Sequence, residues 1–164
     1  VFSPIRVFSL KKNPPADTFR IAASLVELGC NSAYINKVMF ETKSKEKIML
    51  EREVYDTITY CADGKCAIVW VTLDMLKSLN IGEDEIEGLA SIPRQIEGVL
   101  IGITMKEKEG GFFKISVRTN GDIDAAKFCS KFGGGGHKAA AGCSINGSLE
   151  DVRSQLIKAA EETL

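Results

Sequence analysis

The sequence predicts an α/β protein in which a helical segment is followed by a small mixed β-sheet domain with flanking helices. Two observations support this fold class. Up to about residue 60, apolar residues recur at helical spacing behind residue types that cap helices. From residue 61 onward, β-branched runs alternate with helical stretches. We therefore divide the chain into a helical segment, residues 1–60, and a sheet domain, residues 61–164.

The helical segment contains three predicted helices. Before them, a stretch broken by Pro4 predicts a short strand or coil and then a linker. The first two helices follow residue types that cap helix N-termini, and the candidate caps are Asp17 or Thr18 and Asn31 or Ser32. The third helix is expected from about Ser44 to Tyr60.

The sheet domain is predicted to contain three or four strands with helices between them. The expected strands are CAIVWVTL (66–73), GVLIGITMKEK (98–108), FFKISVRTN (112–120) and GCSIN (142–146). A glycine pair between the second and third strands predicts a hairpin. Helices are expected over residues 73–92, after a cap at Asp122, and after a cap at Ser148.

Composition excludes several classes of function. The net charge is −1 and the pI about 6.0, so no overall field attracts nucleic acid or an anionic membrane. No apolar run approaches the ~20 residues that cross a bilayer. Five cysteines without a CxxC pair and a single histidine argue against a zinc site and favour free thiols in a reducing cytosol. A Cys61–Cys66 disulfide is the alternative. We expect a cytoplasmic protein with no membrane partner.

The stretch KFGGGGHKAAAG, residues 131–142, places four glycines before the only histidine, His137. Glycines can turn consecutive N–H groups toward one point, which predicts an anion-binding nest. A new helical turn starting near His137 would add free N–H groups. His137 and Lys138 would donate to a phosphate, and Lys131 would add positive charge nearby. The alternative is a flexible glycine loop with a surface histidine.

Two arginines are further candidates for the same site. Arg118 ends a predicted strand, where a guanidinium suits bidentate recognition of phosphate or a base, and Thr119 and Asn120 would add polar contacts. An exposed surface arginine is the alternative. Arg94 follows a proline and precedes a strand. The alternative role for Arg94 is a salt bridge, and the residues by themselves favour that salt bridge over a contact to a ligand. The acidic residues available for it are Glu83, Asp84, Glu85, Glu87 and Glu97.

No catalytic constellation is recognisable in the sequence. A two-metal site needs several converging His and Asp ligands, and one histidine does not build it. No serine or cysteine lies in a nucleophile elbow, and the spacing of neither a Walker A loop nor a dinucleotide fingerprint is met. The chain alone is therefore predicted to hold no metal or cofactor and to be inactive.

Two stretches closely resemble the DHHA1 domain of DHH/DHHA1 phosphoesterases: RQIEGV (94–99) and ISVRTNGDIDAAKFCSKFGGGGHKAAAG (115–142), followed by a terminal helix. The likeness covers roughly residues 60–164. It is nearest to the bacterial nanoRNase and pAp-phosphatase group, which also carries the name exopolyphosphatase-related. The first sixty residues, through TFRIAASLVELG, resemble the end of the catalytic DHH domain and its connection to DHHA1.

The resemblance implies a DHHA1-like fold and a substrate-binding role. Members of the family cleave short oligonucleotides, nucleoside bisphosphates or cyclic dinucleotides with two Mn²⁺ ions, which the DHH domain holds. The Asp-His-His triplet of that domain is missing from this sequence. The implied partners are the protein's own DHH domain and a nucleotide or short single-stranded oligonucleotide, and a homodimer stays open. The implied substrate-binding residues are Arg118, Gly134, Gly135, Gly136 and His137, with Arg94 and Lys138 as weaker candidates.

Alternatives remain at this point. The Val1 start favours a portion of a longer enzyme, and a degenerate homologue is the other possibility. In function, a stand-alone nucleotide- or RNA-binding module competes with the substrate-binding half of a phosphoesterase. An RNA-wrapping module needs a basic stripe that this nearly neutral chain lacks. A purely structural or dimerising domain leaves the glycine tract unexplained. We therefore expect the substrate-binding half.

Overall fold

The computed structural model describes residues 15–82, 86 and 88–164. The chain divides into two compact units, with the division between Ser44 and Lys45. The strand or coil predicted around Pro4 lies outside the described residues, and so does the acidic part of the helical stretch predicted over residues 73–92.

The first unit is helical. It contains α1 (Ala16–Glu27), α2 (Ser32–Asn36) and a π-helical turn (Lys37–Glu41). The Asn31 side chain accepts a hydrogen bond from the Tyr34 N–H at 2.9 Å, which confirms the predicted cap of α2. The predicted cap of α1 was wrong, because this helix begins directly after Pro15 and both Asp17 and Thr18 lie inside it. No residue of these three helical stretches is buried.

The second unit is built on a mixed sheet of six strands, ordered β1-β2-β3-β4-β6-β5. The strands are β1 (Thr59–Cys61), β2 (Cys66–Val71), β3 (Ile101–Lys108), β4 (Phe112–Thr119), β5 (Gly135–His137) and β6 (Ala140–Asn146). Only β2 and β3 pair in parallel. The predicted α/β class with a mixed sheet is confirmed. The predicted number of strands was too low, because β1 and β5 are three-residue edge strands without a hydrophobic run.

Among the described residues, four helices and two 3₁₀ turns flank this sheet. They are α3 (Lys45–Asp56), α4 (Leu73–Ser78), α5 (Ala125–Ser130), α6 (Leu149–Glu161), and the turns Leu89–Ser91 and Pro93–Gln95. Ser148 caps α6 as predicted, since its hydroxyl accepts the Asp151 N–H at 3.2 Å. Asp124 rather than Asp122 caps α5, and its carboxylate accepts the N–H groups of Ala126 and Lys127. The third predicted helix was too long, because α3 ends at Asp56.

The two faces of the sheet are covered unequally. On one face, α5 and α6 pack over β-strand residues such as Ile103 and Ile115, with Phe128 and Leu156 fully buried between the layers. On the other face, α3, α4 and the 3₁₀ turns cover β2 and β3. The apolar cluster there consists of Leu50, Val54, Val69, Val71, Leu76, Ile81, Ile86, Leu89 and Ile92. This second cluster includes no residue of β4, β5 or β6.

All five cysteines are free thiols, in two hydrogen-bonded pairs and one single residue. Cys61 and Cys66 lie directly opposite each other on β1 and β2. A hydrogen bond from Cys66 lowers the pKa of the Cys61 thiol, and one from Cys129 lowers that of Cys143. Within the part of the chain that the structure describes, no helix is long and apolar enough to span a bilayer.

The packing of α3 against the sheet predicts a stability difference between two of its residues. Leu50 is 1% exposed within the second cluster, whereas Ile48 on the same helix is 56% exposed. We expect Leu50→Ala to lower the free energy of unfolding by about 2–5 kcal/mol, because it leaves a cavity. Ile48→Ala should change it by less than about 0.5 kcal/mol. Urea unfolding followed by Trp70 fluorescence measures both, and equal effects would contradict this packing.

Candidate functional site

The uncovered part of the sheet has a polar floor on β4. Ile115 and Val117 are fully buried on the opposite face. Because side chains alternate along a strand, Lys114, Ser116 and Arg118 lie on the uncovered face. On β6 their direct partners are Ser144, Gly142 and Ala140, in the same order.

Arg118 and His137 lie in one row across three adjacent strands. Arg118 pairs with Ala140 on β6, and Ala140 pairs with His137 on β5. Since neighbouring strands are ~4.8 Å apart, the backbones at Arg118 and His137 are separated by about 10 Å across the small Ala140 side chain. One guanidinium N–H of Arg118 donates to the Val117 carbonyl at 3.0 Å. The two predicted donors are therefore brought to the same face.

The four glycines of residues 133–136 have different roles. Gly133 has φ +70° and ends the turn after α5. A Cβ on Gly134 would lie 2.5 Å from the Cys143 Cβ, and one on Gly136 would lie 2.6 Å from the Ala141 Cα. Gly135 has neither a positive φ nor an atom within 4 Å of such a Cβ. Local structure therefore requires glycine at three positions but leaves Gly135 open toward the cleft.

The backbone around His137 differs from the sequence prediction. Instead of a new helical turn, residues 135–137 form β5, and Lys138–Ala139 make the tight turn to β6. The reason is the antiparallel pairing of His137 with Ala140, which continues the sheet rather than starting a helix. β5 is the last strand in the sheet order, so its outer edge pairs with no strand of the described chain.

Each of the two lysines of this stretch pairs with a carboxylate. The Lys138 Nζ lies 3.5 Å from Asp122, with both side chains exposed. The Lys131 Nζ reaches the end of α6 instead, at 3.2 Å from the Thr163 hydroxyl and 3.5 Å from Glu162. The Lys131 side chain thus bonds to groups at this helix end, and its contribution of positive charge to the site stays a prediction.

Thr119 and Asn120 position the site rather than line it. The hydroxyl of the buried Thr119 lies 3.0 Å from the Lys138 carbonyl. The backbone N–H of Thr119 donates to the Ala139 carbonyl. It therefore attaches the hairpin turn to the end of β4. The Asn120 amide donates to the carbonyls of Val99 and Arg94, at 2.9 and 3.3 Å.

The backbone at Arg94 lies close to the row of Arg118. A Cβ on Gly102 would lie 2.7 Å from the backbone nitrogen of Arg94. Gly102 is in turn the partner of Arg118 on β3. Among the described residues, Arg94 forms no ion pair with Glu97. The other acidic residues proposed for that salt bridge lie outside the described ranges.

Part of this face borders an open cleft of about 750 Å³, and His137, Arg94 and Lys138 are not among its described lining residues. Its lining includes Arg118, Gly133, Gly135 and Gly136, and also three side chains that sequence analysis missed: Lys114, Ser116 and Ser144. The alternation of polar and apolar residues in FFKISVRT and GCSIN was the signal that would have predicted these side chains on the exposed face. Among the described residues that line it, Lys114 and Arg118 are charged and none is a carboxylate. The cleft is thus suited to bind an anion.

In the parts of the chain that the structure covers, no three or more His, Cys, Asp or Glu side chains are grouped to hold a metal. The chemistry that the cleft residues offer is binding: hydrogen-bond donors, positive charge and close backbone approach.

A sequence model of the DHHA1 domain matches residues 63–164. A curated relative is the bifunctional oligoribonuclease and PAP phosphatase NrnA of Thermus thermophilus. It is 27% identical over 154 residues, which cover 93% of this chain and 45% of that protein. The chain therefore spans about half the length of the curated relative it matches.

Two solved structures show the same fold. An exopolyphosphatase-related protein from Bacteroides fragilis superposes with a TM-score of 0.78 at 22% identity, over 90% of this chain and 44% of the other. The pGpG-specific phosphodiesterase PggH from Vibrio cholerae gives a TM-score of 0.57 at 15% identity, over 90% of this chain and 52% of the other.

The glycine geometry predicts that neighbouring glycines respond differently to an added methyl group. Gly134→Ala and Gly136→Ala should each lower the free energy of unfolding by about 1–3 kcal/mol, because the Cβ overlaps β6. Gly135→Ala is the matched control and should leave it unchanged or raise it by up to about 1 kcal/mol. Urea unfolding of the three variants tests this, and a destabilised Gly135→Ala would contradict it.

Proposed function

The chain belongs to the DHHA1 domain family, and we propose that residues 61–164 are the substrate-binding domain of a metal-dependent phosphoesterase. Residues 1–60 are then the end of its DHH domain and a helical connector. The proposed substrates are short oligonucleotides, nucleoside bisphosphates or related nucleotides, and the proposed location is the cytoplasm.

The observation that carries this proposal is the row of Arg118 and His137 beside Gly135, next to a cleft whose described lining includes Arg118 and Gly135 and no carboxylate. A guanidinium fork binds a phosphate through two parallel hydrogen bonds, and an imidazole N–H adds a third donor. At Gly135 no side chain prevents close approach of a ligand to the backbone. The backbone of Arg94 lies beside this row, next to Gly102. In the proposal, Lys138 contributes positive charge from the hairpin turn.

The name of the Thermus thermophilus relative, an oligoribonuclease and PAP phosphatase, supports nucleotides with terminal phosphates as ligands. Because this chain spans less than half of that relative, catalysis is assigned to a DHH domain outside the sequence. Two Mn²⁺ ions bound there would activate the attacking water and polarise the phosphate. In the proposal, Arg118, Gly135 and His137 hold the substrate in position and move no proton.

The exposed apolar residues of the first unit support its assignment to a larger domain. Its exposed apolar side chains are Phe19, Ile21, Val26, Leu28, Tyr34, Val38, Met39 and Phe40, of which Leu28 is 84% exposed. Burying such residues is the main driving force of folding, so helices that bury none by themselves are typical of a segment that packs against further chain. We propose that the rest of the DHH domain covers them.

Ligand binding by the 164-residue chain tests the proposed site. We expect Arg118→Ala and His137→Ala to weaken binding of adenosine 3′,5′-bisphosphate (pAp) by roughly 10- to 100-fold, since each removes a hydrogen bond to a charged group. Gly135→Ala should weaken binding without loss of stability. Lys131→Ala removes a positive charge outside the cleft and should change affinity less than about twofold. Isothermal titration measures all four, and unchanged binding by Arg118→Ala and His137→Ala would contradict the site.

Activity of the longer protein tests the proposed reaction. With a DHH domain and Mn²⁺ present, we expect hydrolysis of pAp and of dinucleotides, whereas the 164-residue chain should hydrolyse neither. Release of phosphate and of mononucleotides, followed by chromatography, measures this. If every short substrate is bound but none is hydrolysed, the chain is a stand-alone nucleotide- or RNA-binding module instead.

A further inference from the structure

The uncovered face continues along β4 beyond the row of Arg118 and His137. Lys114 lies four residues before Arg118 on the same strand and the same face. At ~3.4 Å per residue, the two positions are about 13–14 Å apart. Ser116 lies between them, and the small Gly142 opposite it keeps the floor of the cleft low. The cleft therefore has a positive charge at each end of a short polar floor.

Lys114 has another lysine as its direct neighbour across the sheet. Its direct partner on β3 is Lys106, and like charges at directly opposed positions destabilise a sheet. Lys106 directs its Nζ to the Ile86 carbonyl, at 3.5 Å. On the other side, the partner of Lys114 is Ser144, whose side chain is exposed. Two lysines and a serine thus lie in one row across three strands, and of these Lys114 and Ser144 line the cleft.

We propose that Lys114, together with Ser116 and Ser144, forms a second phosphate subsite for a single-stranded oligonucleotide. This inference rests on the proposed function, in which Arg118 and His137 hold the first phosphate. A positively charged groove that follows the backbone is how proteins hold single strands without reading their sequence. The substrate strand would run along β4 from Arg118 toward Lys114.

The spacing assigns a length preference to the cleft. Stacked nucleotides advance by about 3.4 Å each, so 13–14 Å corresponds to roughly four stacked nucleotides, and to fewer in an extended strand. A nucleoside bisphosphate held at Arg118 ends short of Lys114, whereas a chain of three or four nucleotides reaches it. Lys114 therefore distinguishes oligonucleotides from mononucleotides.

The test compares two ligands on the 164-residue chain, pAp and a 5′-phosphorylated tetra-adenylate. We expect Lys114→Ala to weaken binding of the tetranucleotide about 5- to 10-fold and to change binding of pAp by less than twofold. The slope of log affinity against log salt concentration for the tetranucleotide should become shallower by about 0.7, the value for one phosphate contact of a single strand. Lys114→Arg keeps the charge and should retain the affinity. Lys158→Ala, an exposed lysine on α6, is the control and should affect neither ligand.

The outcomes separate the two proposals. If Lys114→Ala changes neither ligand, or weakens both equally, the second subsite is wrong. If Arg118→Ala still weakens both ligands in that case, the proposed function stands. If Arg118→Ala leaves both ligands unchanged, the proposed function itself fails. If the unchanged chain binds pAp but not the tetranucleotide, the strand path along β4 is overturned.

Discussion

The close approach of β5 to β6 is the constraint on which the site depends. At Gly134 and Gly136 there is no room for a Cβ against the backbone of β6. If side chains were present, β5 would be displaced, and His137 would leave the row that it shares with Arg118. Glycines lose more entropy on folding than other residues, and here the lack of a Cβ is what lets the chain at Gly134 and Gly136 lie against β6. The hydroxyl of Thr119 then fixes the turn that follows.

Unequal covering of the sheet makes this geometry accessible. One face is closed by α5 and α6, which supply the main core. On the other face, α3, α4 and the 3₁₀ turns cover β2 and β3, and the turn Leu89–Ser91 also reaches β4. The backbone of Arg94 packs directly on Gly102 of β3. Strands β4 and β6 expose alternate polar residues, so the same alternation that builds the core on one side lines the open cleft on the other.

Electrostatics at the cleft are local rather than global. The chain as a whole has a net charge of −1, yet the part of the cleft lining that the structure describes carries Lys114 and Arg118 and no carboxylate. Such a surface attracts an anion at short range, while salt screens its field beyond about 10 Å. This favours small or short phosphate-bearing ligands over long polyanions, which need charge spread over a larger surface.

The sequence by itself determined the α/β class, the caps Asn31 and Ser148, and the candidates Arg118 and His137, because periodicity and residue type are local signals. It did not determine that β5 is a strand, since Gly135, Gly136 and His137 form no hydrophobic run and their pairing with β6 is set by packing. Nor did it place Lys131 at α6 or Lys114 in the cleft. Only the tertiary structure decided which face each strand exposes and which glycine is open, because both depend on what the rest of the chain covers.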